Sequence, residues 1–114
     1  MHDFHKAAAV RAAAFDGEQV AVVSATLPAA QDICAGLEDW LTGDPAARVE
    51  KVRRTNGHHS IQFAGGGSIH FLSFRSPARG RSYGRIFVPI GTSADYLREL
   101  LPCLDVSGGP FVGY

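Results

Sequence analysis

Two cysteines, one methionine and one tryptophan are spread over 114 residues, and the shortages close off whole classes of protein. Cys34 and Cys103 make neither a disulfide framework nor a CxxC motif. They read as reduced thiols of a cytoplasmic protein. No apolar run approaches the roughly 20 residues that a membrane helix needs. The opening residues, Met1-His2-Asp3-Phe4-His5-Lys6, lack a basic stretch leading into a long apolar one, which argues against a secretory signal. No Gly-rich loop is followed by Lys-Ser or Lys-Thr, so the backbone cradle that holds nucleotide phosphates is missing. Acidic residues are scarce in the middle of the chain. From Arg48 to Arg85 eight basic residues face only Glu50, a net +7, while the remainder carries −7. Such asymmetry points to an anionic partner, unless the arginines pair with acids brought in from elsewhere in the fold.

What is present suits one small globular domain, at 46% hydrophobic and 19% charged residues. Residues 1–104 are expected to form it, followed by an irregular tail, 105–114, rich in glycine and proline. Asp3 to Phe15 reads as an alanine-rich helix, with Phe4, Ala8, Ala12 and Phe15 on one face. Asp16-Gly17 ends it. Val20, Val22 and Val23 lie in a run too apolar for a half-exposed strand, which fits a parallel sheet covered on both faces. Thr26 can cap a second helix, with Pro28 in its first turn. Its stripe of Ala30, Ile33, Cys34, Leu37, Trp40 and Leu41 places Trp40 as a core anchor.

The middle changes period. Val49 to Arg54, His58 to Ala64 and Ser68 to Phe74 read as three strands of an antiparallel meander, turned at Asn56-Gly57 and at the glycine triplet 65–67. Arg85 to Ile90 reads as another buried strand. Thr92 or Ser93 can cap a helix that runs to Pro102. His58, His59 and His70, with Cys34 or Cys103, raise the question of a metal site. Alternation on a strand sets His58 and His59 on opposite faces, so no metal is expected. Ser60 or Ser73 near histidine lacks a nucleophile elbow, which argues against a hydrolase. Asp95 and Glu99, one helical turn apart, read as solvated acids.

One spaced pattern carries a family resemblance: Val52-Arg53-Arg54-Thr55-Asn56-Gly57, Ser60-Ile61-Gln62-Phe63, Gly67-Ser68-Ile69-His70-Phe71-Leu72-Ser73 and Arg79-Gly80-Arg81-Ser82-Tyr83. Across roughly Ala7 to Ile90 the chain resembles the ATPase domain of phage terminase large subunits. There a similar hairpin precedes an arginine-glycine loop and the Walker B strand. The resemblance implies an α/β fold: a RecA-like, P-loop-ATPase-like partial sheet flanked by helices, with an antiparallel hairpin or meander. It also implies a degenerate ATPase. The phosphate loop that precedes the first helix is missing, and the Walker B carboxylates fall on Pro89 and Ile90. No cofactor and no catalytic residue is therefore expected, nor does the chain have room for the family's nuclease half.

The expected function is a non-catalytic, phage- or prophage-derived binding module in a bacterial host cell, taking DNA or a host or phage protein as partner. Arg53, Arg54, Arg75, Arg79, Arg81 and Arg85 are the candidate contacts to nucleic acid. Two alternatives are a half-ATPase completing a site with a partner subunit and an inhibitor of a host enzyme. A homo-oligomer is expected as well, because a missing phosphate-loop strand would leave an unpaired sheet edge.

Overall fold

The computed structural model describes residues 2–42, 48–55, 58–75, 82–104 and 108–114. Along the chain run α1 (Asp3–Val10), β1 (Gln19–Ser24), α2 (Leu27–Thr42), β2 (Val49–Thr55), β3 (His58–Phe63), β4 (Ser68–Ser73), β5 (Arg85–Val88), α3 (Ala94–Leu100) and β6 (Phe111–Gly113). The strands form one sheet in the order β2-β3-β4-β1-β5-β6. β4, β1, β5 and β6 run parallel, whereas β2, β3 and β4 make the antiparallel meander. The expected α/β class and the mixed sheet are both present. The Asn56-Gly57 turn lies outside the described residues, but Thr55 faces His58 across the strands it joins.

β1 sits at the centre, and Val20, Ala21, Val22 and Val23 are each fully buried. Alternation sends Val20 and Val22 to one side and Ala21 and Val23 to the other. The first side packs Ile69 and Phe71 of β4, Ile61 and Phe63 of β3 and Phe87 of β5 under α1 and α2. The second side packs Leu72, Ile86 and Val88 under Leu100, Cys103 and Leu104, from α3 and the 3₁₀ turn Leu101–Leu104. Burying each large side chain contributes on the order of 1.5–3 kcal/mol. The two covered faces therefore explain why the parallel strands are apolar throughout.

The caps work as their residue types dictate. The Thr26 hydroxyl accepts from the Ala29 amide at 3.2 Å, and the Ser93 hydroxyl accepts from Tyr96 at 3.3 Å. After Val10 the first helix widens into a π turn, Arg11–Phe15, closed by the Asp16 amide donating to the Arg11 carbonyl at 3.2 Å. Gly17, at φ +71°, then turns the chain into β1. This turn lies so close to the sheet that a Cβ on Gly67 would sit 1.8 Å from the Ala13 carbonyl oxygen.

Four expectations need correction. The buried side of the first helix is Ala9, Val10, Ala12 and Ala13, while Phe4 and Phe15 are 71% and 61% exposed. Small alanines let the helix backbone approach the strands, and the wide π turn shifts the helical phase. Trp40 is 41% exposed. The buried stripe of α2 is Ala30, Cys34, Leu37 and Leu41, and Trp40 stands about a quarter-turn off its centre at 100° per residue. The tail is ordered at its end. β6 pairs in parallel with β5, and the Tyr114 phenol bonds to Val23 and Ser24. Lastly, β1 is paired by β4 on one side and β5 on the other, so among the described residues no gap lies beside the central strand. The argument for a homo-oligomer loses that premise.

Replacing Gly67 with alanine should cost about 1–3 kcal/mol or more, because the new methyl meets backbone rather than a movable side chain. A denaturant titration against the parent chain checks this. A variant of unchanged midpoint would mean that the π turn does not rest on β4.

Candidate functional site

Where α3 and its cluster end, the second face of the sheet changes character. That cluster takes Leu72 from β4 but nothing from β2 or β3. Over the meander the residues aligned across strands are polar. One row is Lys51, Gln62, Ser68 and Gln19, and the next is Arg53, Ser60 and His70, ending on Ala21 of β1. His58 joins this face at the start of β3. Lys51 and Arg53 are exposed; His58, Gln62 and His70 are half-buried. Ser60 is 1% exposed, and its hydroxyl oxygen is buried without a hydrogen-bond partner among the described residues. A pocket of about 270 Å³ opens beside Gln19, Glu50, Gln62, Ser68 and His70.

The hydrogen bonds on this face form a chain whose direction can be worked out. The Gln19 amide nitrogen donates to the Gly66 carbonyl at 2.9 Å, which turns its oxygen, Oε1, towards Ser68. An amide oxygen only accepts, so the Ser68 hydroxyl must give its proton to Gln19. Ser68 Oγ is then an acceptor for His70 Nε2 at 2.8 Å, and Nε2 must carry a proton. That nitrogen also lies 3.4 Å from Gln19 Oε1, consistent with donation. In a neutral imidazole the other nitrogen, His70 Nδ1, keeps its lone pair. It faces His58 Nε2 at 3.3 Å, so His58 donates. The Tyr83 ring meets His70 edge-on, 5.8 Å between centroids, and is itself buried.

This direction decides the chemistry of the pair. A base that activated Ser68 would have to accept its proton, but His70 donates to it. In this arrangement the serine anchors the histidine. Sequence reasoning named Ser60 and Ser73 and passed over Ser68, although the i, i+2 spacing of Ser68 and His70 on one strand was available. It also passed over Gln19, whose contact with β4 depends on the parallel pairing of β1.

The six candidate arginines do not share one surface. Arg53 is exposed on the polar face, and Arg75 is exposed just after β4. Arg54 points to the opposite face and pairs with Glu38 of α2. Arg85 binds Glu18 in bidentate fashion, at 3.2 Å through Nε and 3.0 Å through a terminal nitrogen. Arg79 and Arg81 lie outside the described residues. From β2 to β5 there are four strand steps, roughly 19 Å at about 4.8 Å each. Arg53 and Arg85 are therefore far apart. Pro89, Ile90 and Gly91 follow β5 as a turn, with Ile90 82% exposed. Asp95 pairs with Arg98 at 2.9 Å on an exposed helix. Among the described residues no three His, Cys, Asp or Glu side chains gather as metal ligands.

Comparison with family models, with curated proteins and with solved structures finds no match to this chain.

The thiols take no part in the polar face. Cys34 lies in the cluster under α2 and Cys103 in the one under α3, on opposite sides of the sheet. Burial pushes the Cys34 thiol up to about 11 from 9.0; the negative charge of Glu38 adds to this and Arg54 partly offsets it. A folded-state value above the unfolded one contributes stability that is complete below about pH 9. It is lost as pH rises towards 11. Denaturant midpoints compared between the parent and Cys34→Ala should show a parent-specific decline across that window. Parallel declines in the two proteins would count against it.

Proposed function

We propose that the chain is a non-catalytic binding module, terminase-like and RecA-like in descent, that contacts the DNA backbone through the polar face of β2–β4. The observation that carries this reading is the half-face of the meander on which Lys51 and Arg53 stand exposed beside the half-buried amide and imidazole groups of Gln62 and His70. Cations at an edge with hydrogen-bonding groups inward suit a phosphate backbone, which needs charge and donors but no base recognition. Arg75 adds a third exposed cation beyond β4, and Arg79 and Arg81 belong to the segment that follows it. Arg54 and Arg85 serve the fold, each tied to an acid.

The reading excludes turnover of ATP. Two features support that: Pro89 and Ile90 at the carboxylate positions of the resemblance, and a glycine triplet that joins β3 to β4 and not a strand to a helix. A phosphate-release assay on the purified chain should give no turnover above buffer. Turnover abolished by a substitution within this chain would overturn the assignment.

Binding itself is tested by charge reversal. A mobility-shift titration at low salt, using duplexes of unrelated sequence, should show binding of similar strength to each. Lys51→Glu with Arg53→Glu should abolish it, and each neutral replacement should lower the salt slope by about one. Glu38→Gln, which frees Arg54 on the other face, should leave binding unchanged. If the parent chain binds no duplex, the DNA reading falls and a protein partner becomes the better account of the same face.

A further inference from the structure

The sheet ends in two edges of different character. β2, at one end, carries Glu50, Lys51, Arg53 and Arg54, and its register with β3 shifts between Val49 and Lys51. Charge and irregularity both keep such an edge from pairing with another chain. β6, at the other end, holds Phe111, Val112 and Gly113 and no charge at all. Its hydrogen bonds to β5 determine which groups remain. The Pro110 carbonyl accepts from the Ile86 amide at 3.1 Å, and the Tyr114 amide donates to the Val88 carbonyl at 2.9 Å. Residues 110, 112 and 114 therefore turn their backbone groups inwards, and alternation turns those of Phe111 and Gly113 outwards. Two N–H donors and two carbonyl acceptors stand there without a partner among the described residues.

We infer that this edge is an interaction surface for a second copy of the chain, β6 pairing antiparallel with its twin about a two-fold axis at Val112. The pattern of open groups is its own complement. Phe111 of one copy exchanges both bonds with Gly113 of the other, and the reverse pair does the same, so all four groups are satisfied. The side chains fit the same register. Val112 meets Val112 of the second copy on the side of α1 and α2, at the position where facing residues approach most closely. On the side of α3 each Phe111 faces a glycine, and an aromatic ring set across from glycine shields that bare stretch of strand. The ring also lands beside Ile90, whose Cγ1 would lie 3.2 Å from a Cβ on Gly113. Ile90 is 82% exposed in the single chain, and the second copy covers it.

The ladder is short, so the dimer is weak, with a dissociation constant of roughly 10–100 µM for so small an interface. Sedimentation of the intact chain from about 1 µM to about 1 mM should show the mass rising from that of one chain to that of two. Over the same range hydrogen exchange at the Phe111 and Gly113 amides should slow by about tenfold. Gly113→Pro removes an outward donor and leaves the bonds to β5 in place. Ile90→Lys puts a charge where the Phe111 ring lands. Each should raise the dissociation constant by about tenfold or more. Phe15→Ser, which removes an exposed ring on the π turn, should leave association unchanged. Should Gly113→Pro fail to fold, Ile90→Lys decides the matter, because that side chain is already exposed. One mass at every concentration, or a dimer indifferent to both variants, would overturn the assignment whatever the outcome with DNA.

Discussion

A strand buried on both faces and paired along both edges fixes everything else in this molecule. Four consecutive residues of β1 are inaccessible to water, so two separate layers must cover the sheet. On one side α2 is long enough to do so, reaching across β1, β4 and β3 from its 16 residues. On the other, α3 has 7 residues and a short 3₁₀ extension. At 1.5 Å per residue it is about 10 Å long, sufficient for the strands around β1 and β5 but not for the meander. Among the described residues no helix lies over that half of the face, and its positions are polar. The polar half-face thus follows from unequal helical cover, and the chemistry found there is what these positions of β2, β3 and β4 carry.

What those positions carry is ordered in one direction. From His58 through His70, Ser68 and Gln19 to a backbone carbonyl, each group donates to the next. A chain that ends on a carbonyl has no spare proton acceptor at its far end. It cannot draw a proton off serine, but it can hold an imidazole in one tautomer. The four side chains therefore form a positioning device for an imidazole. Half-burial strengthens each link relative to water, since the competing solvent is partly excluded. Ser60, inaccessible and without a partner among the described residues, marks the place on this face where polarity has not been matched.

Much of the architecture was legible because it rests on local chemistry. Valines in sequence announced a doubly covered strand. Thr26, and either Thr92 or Ser93, announced helix starts, Gly17 a helix end, and the alternation of Ile61 with Phe63 and of Ile69 with Phe71 announced the inner face of a meander. The misreadings share a cause, which is that close approach decided them. Alanines at 9, 12 and 13 draw the first helix against Gly67, and that contact, invisible in a periodicity, turns Phe4 and Phe15 outward. Phe111, Val112 and Tyr114 looked like a tail because three residues show no pattern; only the free edge of β5 makes them a strand. The histidine pair needed the register of β3 on β4, and the anchor of that pair needed β1 beside β4, two facts of topology and not of composition.

Charge shows the same limit from another side. A stretch of sequence with net +7 is not a surface with net +7, since the acids that balance it arrive from other elements. Glu38 comes from α2 to Arg54, and Glu18 comes from the entry to β1 to Arg85. Those pairs remove two arginines from any common patch and leave Lys51 and Arg53 exposed on β2, which is an edge strand. Charged side chains on an edge have a use of their own, because they keep the unpaired backbone of one molecule from pairing with that of another. Edge protection asks only that a charge be present and is indifferent to its sign. Contact with phosphate requires that the charge be positive and that donors stand beside it. Across the strands from Lys51 and Arg53 stand Gln62 and, beyond Ser60, His70, half-buried side chains able to donate hydrogen bonds, and a guarded edge has no need of them.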